Sequence, residues 1–336
     1  MGSTGEAVEV SIEVFPYLRV YKDGKVERLA GTEVVPAGLD PETLVLSKDI
    51  VVVPETGVSA RIYRPNNNNS TESDQKLPLV VYFHGGAFCI SSTADPKYHA
   101  SLNNLVAEAN VILVSVNYRL APEFPLPTAF EDCWAAIQWV ASHVNGDGGD
   151  NHDREAWLKE SVDFEKVFLV GDSAGSTLAH HLSFRVKNSD TGRDLKVCGI
   201  GMINPYFWGK DPIGMEVSDE FRKKMVDSWW MFVCASEEGC DDPLINPFVD
   251  GAPSLDGLGC DKVLVVVAEK DILRDRGRLY YKKLVNSGWP GKAEIMEFED
   301  EDHVFHIFDH TTDKAKSLIK RLASFINQDG AFAFAV

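Results

Sequence analysis

The stretch VFLVGDSAG, residues 167–175, decides the fold class of this chain. Its first four residues form an apolar run typical of a buried strand, and its last five match the pattern G-x-S-x-G. A helical pattern begins at about residue 176, so Ser173 lies in the strand–turn–helix context of a nucleophile elbow. Small residues at positions 171 and 175 permit the sharp turn that such an elbow needs. The alternative interpretation is a Gly-rich turn that carries an incidental serine.

Short apolar runs alternate with helical patterns on both sides of this stretch. Such alternation favours a mostly parallel sheet with helices on both of its faces. Loops at the carboxyl ends of the parallel strands are then where functional residues are expected. Strands are predicted at 79–83, 111–116, 167–170, 198–203, 263–268 and 293–298, and helices at 98–109, 128–144, 176–185, 277–287 and 313–326.

Two segments interrupt this alternation and are predicted to cover the carboxyl edge of the sheet as a lid. The first is residues 1–50, in which a Lys-Asp-Gly-Lys turn predicts a hairpin. The second is residues 206–247, an aromatic-rich segment in which Phe207 and Trp208 are expected to contact substrate. The alternative is that these aromatic side chains only pack a peripheral helix. The polar stretch 66–75 is predicted to be an exposed loop.

A serine hydroxyl becomes a useful nucleophile only when a base takes its proton, so a histidine must reach Ser173. His303 follows the last predicted strand and is the preferred base. His306 is close in sequence, but it is expected to begin the final helical region and to face another way. His180 and His181 lie on the helix after the elbow, where packing or a surface position is the expected role.

The imidazole in turn needs a carboxylate that fixes its tautomer and stabilises its protonated form. Asp271 follows the strand predicted at 263–268, again at a carboxyl end. The resulting chain order, serine then aspartate then histidine, is the order expected for an elbow of this kind. Asp275 is the rival candidate, although a structural role at the start of the next helix would suit it.

Hydrogen-bond donors for a developing oxyanion are predicted in the sequence His84-Gly85-Gly86-Ala87, which follows an early strand. The motif matches an HGGG-type loop except at its last position. We expect the main-chain N–H groups of Gly85, Gly86 and Ala174 to form the oxyanion hole. Ala87 also offers an N–H group, so the identity of the second donor stays open between it and Gly86. The His84 side chain is expected to hold the loop.

The bulk properties narrow the possible partners. The chain has 336 residues and a net charge of −18, which argues against nucleic acid or an anionic membrane as a partner. It has no apolar run of secretory or membrane-spanning length, and its six cysteines are scattered without a CxxC pair. We therefore expect one cytoplasmic domain, residues 1–336, with a small-molecule substrate and no metal or other cofactor. The oligomeric state is left open.

Four motifs resemble the plant carboxylesterases, which are related to hormone-sensitive lipase: HGGAF (84–88), NYRLAPE (117–123), GDSAG (171–175) and DHVFH (302–306). The resemblance implies an α/β-hydrolase fold and an esterase that forms an acyl-enzyme on small esters without metal or cofactor. The stretch NPYFWGKDPIG (204–214) resembles in particular the 2-hydroxyisoflavanone dehydratases of the same family.

That resemblance leaves two alternatives to ester hydrolysis. One is a lyase or cyclase of plant specialised metabolism, in which the His–Asp pair acts as a general base on carbon. The other is a binder similar to the gibberellin receptors, which lack the triad histidine. Because this chain keeps Ser173, Asp271 and His303, the receptor interpretation is disfavoured, whereas serine favours hydrolysis without excluding elimination.

Overall fold

An eight-stranded sheet forms the centre of the molecule in a computed structural model that describes residues 9–66, 76–144, 155–189 and 195–328. Five neighbouring pairs of strands are parallel, and two pairs at one side of the sheet are antiparallel. In spatial order the strands are β11 (Lys292–Phe298), β10 (Lys262–Ala268), β9 (Val197–Ile203), β8 (Val162–Asp172), β6 (Leu77–Phe83), β7 (Ile112–Asn117), β5 (Val58–Pro65) and β4 (Val45–Val53).

Helices cover both faces of this sheet, as the alternating sequence pattern predicts. Side chains of β6 alternate between two separate cores, with Val81 and Phe83 in one and Val80 and Tyr82 in the other. The first core contains helices α2 (Thr128–Ala141), α4 (Ala174–Asn188) and α6 (Arg274–Val285), and the second contains α1 (Pro96–Ala109) and α8 (Asp313–Asn327). The remaining α-helices are α3 (Ala156–Ser161), α5 (Glu220–Val233) and α7 (Phe305–Phe308).

The N-terminal segment divides into two parts, which corrects the prediction that all of residues 1–50 belong to a lid. A separate antiparallel sheet consists of β1 (Val10–Val14), β2 (Leu18–Tyr21) and β3 (Val26–Arg28), and its β2–β3 pair is the predicted hairpin. Residues 45–50 instead belong to β4, an edge strand of the central sheet. The strand β4 was not predicted because an edge strand buries only part of its residues and so lacks a continuous apolar run.

The aromatic segment after β9 is likewise packed more deeply than predicted. Phe207 is fully buried and stacks on Tyr280 of α6, with ring centroids 4.7 Å apart. Trp208 is also fully buried, and its indole N–H donates to Asp227 at 2.7 Å. Neither side chain lines the cavity at Ser173. Their expected role in substrate contact was wrong, because both fill the core between this segment and α6.

A buried ion pair fixes the same segment to α6. The Arg276 guanidinium donates to both carboxylate oxygens of Glu216, at 2.8 and 2.7 Å, and to the carbonyl oxygen of Asp211 at 2.6 Å. Of the loop predicted at residues 66–75, only Asn66 lies within the described residues. None of the described helices has the length and apolar character needed to cross a bilayer.

Candidate active site

The nucleophile elbow joins β8 to α4 at Ser173. This serine has a φ angle of +50°, a left-handed conformation that non-glycine residues rarely adopt. Neighbouring main chain passes so close to Gly171 and Gly175 that a Cβ atom at either position would collide with it, at Gly175 with the carbonyl of Phe83. The two glycines of the motif are therefore required by the close approach of α4 to β6 and β8.

Three side chains from separate strand ends meet in a hydrogen-bonded chain. The Ser173 Oγ lies 2.9 Å from His303 Nε2, and His303 Nδ1 lies 2.8 Å from Asp271 Oδ2. Ser173 follows β8, Asp271 follows β10 and His303 follows β11, so the parallel sheet brings together residues that are up to 130 positions apart. With Nδ1–H donating to the carboxylate, Nε2 is left to accept the serine proton.

The Asp271 carboxylate is held by groups other than the histidine. Its side chain is 1 % exposed, and it accepts hydrogen bonds from Asn204 Nδ2 and from the main-chain N–H of Leu273, each at 2.9 Å. Asn204 directly follows β9, and its Oδ1 accepts from the N–H of Val304 at 3.3 Å. One amide side chain therefore fixes both the aspartate and the loop that carries the histidine.

The charges around His303 favour its protonated form. Burial acts to lower the pKa of this imidazole, but the Asp271 carboxylate, by its charge and its hydrogen bond, raises it. Asp172 and Asp302 add further negative charge, and the net effect is a pKa above the ordinary value of 6.5. A histidine in this setting gains a proton readily from a serine and keeps it while a negatively charged intermediate exists.

The rival histidines and the rival aspartate lie away from the serine. Burial lowers the pKa of His306 to about 3, and its ring nitrogens bond to no described residue. His180 is buried and lies 3.0 Å from the Tyr280 hydroxyl, and His181 lies 3.0 Å from the carbonyl of Leu244. Asp275 accepts from the main-chain N–H of Met215 at 2.9 Å and pairs with the guanidinium groups of Arg274 and Arg278.

Gly85 differs from its predicted role as an oxyanion donor. Its main-chain N–H points to Asp172 Oδ1 at 3.1 Å and to the Tyr98 hydroxyl oxygen at 2.9 Å. Asp172 is fully buried and also accepts from the hydroxyls of Tyr82 at 2.8 Å and Tyr98 at 2.7 Å. Burial raises the pKa of this carboxyl to about 6. The Gly85 N–H is therefore committed to holding the loop.

The next residues of the loop have the geometry of an anion site. Gly86, Ala87 and Phe88 have φ angles of +97°, +49° and +60°. Within the described ranges, the N–H groups of Gly86 and Ala87 donate to no other group. Successive N–H groups in turns of this kind form concavities that bind anions. Ala174 is the first residue of α4, so its N–H also lacks an intrahelical acceptor. The main-chain N–H groups of Gly86, Ala87 and Ala174 are therefore available to a ligand, whereas that of Gly85 is not.

The motif NYRLAPE supports this loop from behind. The Tyr118 hydroxyl donates to the carbonyl of His84 at 2.8 Å, and the two rings stack with centroids 4.3 Å apart. Burial lowers the pKa of His84 to about 4, so this imidazole is neutral at physiological pH. Its Nδ1 lies 2.8 Å from the carbonyl of Gly85. The position of His84 agrees with the expectation that its side chain holds the loop.

A cavity of about 1020 Å³ opens at Ser173 and His303. Its walls come from the loop of residues 84–91 (the oxyanion loop), from the start of α1, from α5, and from the loops after β10 and β11. The N-terminal sheet contributes the turn between β1 and β2 and the residues that follow β3. Tyr17 and Trp229 line it as a packed pair, with ring centroids 4.9 Å apart. Among the described residues, no group of three His, Cys, Asp or Glu side chains is arranged to hold a metal ion.

Sequence reasoning missed four supporting residues of this site. Asn204 had a usable signal, because it is a polar residue directly after a buried strand. Asp172 lies inside the G-x-S-x-G motif, but nothing in the pattern indicates that its carboxylate is turned into the core. Tyr17 and Tyr98 reach the site only through tertiary packing, which local patterns do not encode.

Comparison with known proteins agrees with this architecture. Residues 80–307, well over half of the chain, match the family model described as the α/β-hydrolase fold. This chain belongs to that family. The α/β-hydrolase is 58 % identical to the probable carboxylesterase 2 of Arabidopsis thaliana, over 95 % of this chain and 97 % of the relative. The predicted fold class and the resemblance to plant carboxylesterases are therefore confirmed.

Two further matches are a dehydratase and a carboxylesterase of known structure. The α/β-hydrolase is 44 % identical to a 2-hydroxyisoflavanone dehydratase of Glycine max, over 95 % of this chain and 99 % of the relative. Among solved structures, it matches EstE1, a thermostable carboxylesterase cloned from a metagenomic library, with a TM-score of 0.69 and 29 % identity. That match covers 87 % of this chain and 90 % of EstE1.

Proposed function

We propose that this protein is a serine carboxylesterase that hydrolyses small-molecule esters through an acyl-enzyme intermediate. The observation that carries the proposal is the continuous chain of hydrogen bonds from Ser173 through His303 to Asp271, at 2.9 and 2.8 Å, on the wall of a large cavity. The 58 % identity to a probable carboxylesterase over nearly the whole chain supports the same conclusion.

In the first half-reaction, Ser173 Oγ attacks the ester carbonyl carbon while His303 Nε2 takes the hydroxyl proton. The carbonyl oxygen becomes an oxyanion, and the N–H groups of Gly86, Ala87 and Ala174 stabilise it. Collapse of this intermediate breaks the bond to the alcohol oxygen. The protonated imidazole gives its proton to that oxygen, so the alcohol leaves neutral and the acyl group stays on Ser173.

In the second half-reaction, water replaces the alcohol. His303 takes a proton from the water as its oxygen attacks the acyl carbon, and the same N–H groups stabilise the second oxyanion. Breaking of the bond to Ser173 Oγ releases the acid, and the proton returns from His303 to the serine. Asp271 remains a carboxylate throughout and keeps the imidazole oriented.

The test uses hydrolysis of nitrophenyl butanoate together with labelling by a fluorophosphonate. Wild-type protein should turn over the ester and take up the label, and Ser173→Ala should lose both. Ser183→Ala is the matched control, since this serine lies on the same helix α4 and its hydroxyl only donates to the carbonyl of His180. Full ester turnover by folded Ser173→Ala would refute the acyl-enzyme.

Elimination of water is the second candidate activity, because a relative that is 44 % identical bears the name 2-hydroxyisoflavanone dehydratase. In that case His303 would remove a proton from carbon, and the oxyanion loop would stabilise the resulting enolate oxygen. Collapse of the enolate would break the bond between the neighbouring carbon and its hydroxyl group, which would leave as water with the proton returned by His303. Wild-type protein would then take up the label, leave nitrophenyl butanoate intact and dehydrate a 2-hydroxyisoflavanone.

The proposal also includes the domain organisation and the cellular location of the protein. The N-terminal sheet and α5 act as a cover within one α/β-hydrolase domain, since residues of both line the cavity. The protein works in the cytoplasm, which suits its six free cysteines, because a reducing compartment keeps thiols unpaired. Fractionation of cells that express the full chain would test this location directly.

A further inference from the structure

The N-terminal sheet brings one tyrosine into the wall of the active-site cavity. Tyr17 lies between β1 and β2, and it lines the same cavity as Ser173 and His303. Its ring packs against Trp229 of α5. Burial, with a smaller contribution from the negative charge of Asp271, raises the pKa of this phenol, so the hydroxyl stays protonated over the working pH range.

The hydroxyl of Tyr17 has no partner among the described residues. Tyr17 is half-buried in the cavity wall, whereas the buried phenol groups of the described residues are all hydrogen-bonded within the protein, as is usual for buried hydroxyls. Each of the six fully buried tyrosines is within hydrogen-bonding distance of a side chain or carbonyl: Tyr63, Tyr82, Tyr98, Tyr118, Tyr206 and Tyr280.

The other aromatic polar groups in the cavity wall are already engaged. The Tyr98 hydroxyl donates to Asp172, the Tyr206 hydroxyl to the carbonyl of Val226, and the Trp229 indole N–H to the carbonyl of Phe15 at 3.1 Å. Tyr17 is therefore the aromatic residue of the wall whose polar group is left for a ligand.

The N-terminal sheet is also held firmly enough to place this hydroxyl. The Arg28 guanidinium makes a two-pronged contact with the carboxylate of Glu123, at 2.9 and 2.7 Å. It also donates to the carbonyls of Cys89 at 2.8 Å and Ala121 at 3.1 Å. Cys89 closes the turn that carries Gly86, so one side chain links the N-terminal sheet to the oxyanion loop.

We propose that Tyr17 is a substrate-binding residue whose hydroxyl selects esters carrying a second oxygen function, such as a hydroxyl or carbonyl group, away from the scissile bond. This inference rests on the proposed esterase activity and defines its substrate class. A plain alkyl ester leaves the phenol without a partner, whereas an oxygenated ester satisfies it. Such a site discriminates against the analogue that lacks the polar group.

The test compares matched esters with and without a hydroxyl on each side of the scissile bond. On the acyl side, nitrophenyl butanoate is paired with nitrophenyl 3-hydroxybutanoate. On the alcohol side, propyl butanoate is paired with 2-hydroxyethyl and 3-hydroxypropyl butanoate. Tyr17→Phe should lower the ratio of kcat/KM for a hydroxylated ester to that for its plain partner by about tenfold, the usual value of one hydrogen bond. The loss should lie mainly in KM, because Tyr17 binds the substrate without touching the reacting atoms.

Tyr21→Phe is the matched control, since this tyrosine lies on the same small sheet and its hydroxyl donates to Glu27 outside the cavity. It should leave every ratio unchanged. The proposal is overturned if Tyr17→Phe leaves all three ratios within twofold of wild type, or if Tyr21→Phe changes them equally. These failures differ from failure of the proposed function, in which the wild-type protein would hydrolyse none of the esters.

Discussion

The floor of the cavity and its cover are built in different ways. The floor carries Ser173, Asp271 and His303 on turns that follow parallel strands, and each is fixed by buried or partly buried hydrogen bonds. The cover consists of α5 and the N-terminal sheet. The sheet buries only the last residue of its strand β1, Val14. It is held to the rest of the molecule by contacts such as those of Arg28 and Trp229. From this difference we expect substitutions in the floor to change the rate of the chemical step and substitutions in the cover to change substrate choice.

The largest effect on the floor is expected for Asp271→Asn. The amide leaves the geometry but favours the wrong imidazole tautomer, so kcat should fall about 10⁴-fold. Because the carboxylate raises the pKa of His303 and the neutral imidazole is the base, the acid limb of kcat/KM lies above pH 6.5 in the wild type and should move to lower pH in the variant. Measuring kcat and kcat/KM from pH 5 to 9 checks both the fall in kcat and the shift of the acid limb.

Asp275→Asn is the matched control for Asp271→Asn, since it makes the same chemical change four residues further along the chain. Asp275 bonds to Met215 and Arg274 and does not contact His303. It should keep the wild-type pH profile. If the two substitutions reduced kcat alike, the division of the floor into catalytic and structural carboxylates would be wrong.

The next effect concerns the oxyanion loop, through Gly86→Ala. Gly86 has a φ of +97°, and an added Cβ would meet the carbonyl of Ile90. Displacing its N–H should reduce kcat about 100- to 1,000-fold, with little change in KM. Gly57→Ala is matched, since Gly57 has a φ of +77° with open space around it. Comparable losses of kcat in both variants would indicate general strain instead of a lost oxyanion donor.

Two tryptophans sharpen the comparison further, because one lies in the core and the other belongs to the cover. Trp208→Phe should reduce the free energy of unfolding by about 2 kcal/mol through a lost buried hydrogen bond and a small cavity, without altering selectivity among esters. Trp229→Phe should raise KM about fivefold, because Tyr17 loses its packing partner and the bond to Phe15 disappears. Urea unfolding and ester kinetics of the two variants measure these changes in stability and KM. Equal changes in KM would contradict the core placement of Trp208.

The smallest effect is expected at the attachment of the cover. Arg28→Ala should reduce the free energy of unfolding by only about 1 kcal/mol, because the pair with Glu123 is partly exposed. The guanidinium lowers the pKa of Glu123, so the stabilisation exists at neutral pH and disappears as the pH falls through that lowered value. Thermal melts at pH 7 and pH 3 of wild type and Arg28→Ala test this, and a difference in melting temperature that grows at pH 3 would contradict it.

The floor could be predicted closely from sequence because its signals are local. A buried parallel strand is a continuous apolar run, and the residue that follows it lies at the carboxyl edge, which places Ser173, Asp271 and His303 together in space. The choice of oxyanion donors was less accurate, since the direction of an N–H group depends on a φ angle, and Gly85 differs from Gly86 in that respect.

The cover resisted prediction because its contacts are distant in sequence. Phe207 and Trp208 were expected to contact substrate because they begin an aromatic-rich segment, but they are buried against Tyr280 and Asp227, which no local pattern connects to them. The edge strand β4 was missed for a related reason, since its side chains are buried irregularly. Tyr17 carried no signal at all, because a tyrosine in a hairpin is equally common on a solvated surface.

The contacts of Arg28 also set an order of assembly during synthesis. Its partner Glu123 is made 95 residues later, and Trp229 follows its acceptor Phe15 by 214 positions. At about 5–20 residues per second, the cover waits roughly 10–40 s before its last contact exists. During that interval Ile12 and Phe15, which remain exposed even in the finished fold, are open to chaperones. The N-terminal sheet is therefore made well before the residues that attach it to the rest of the molecule, and it can settle over the cavity only after Trp229 has been synthesised.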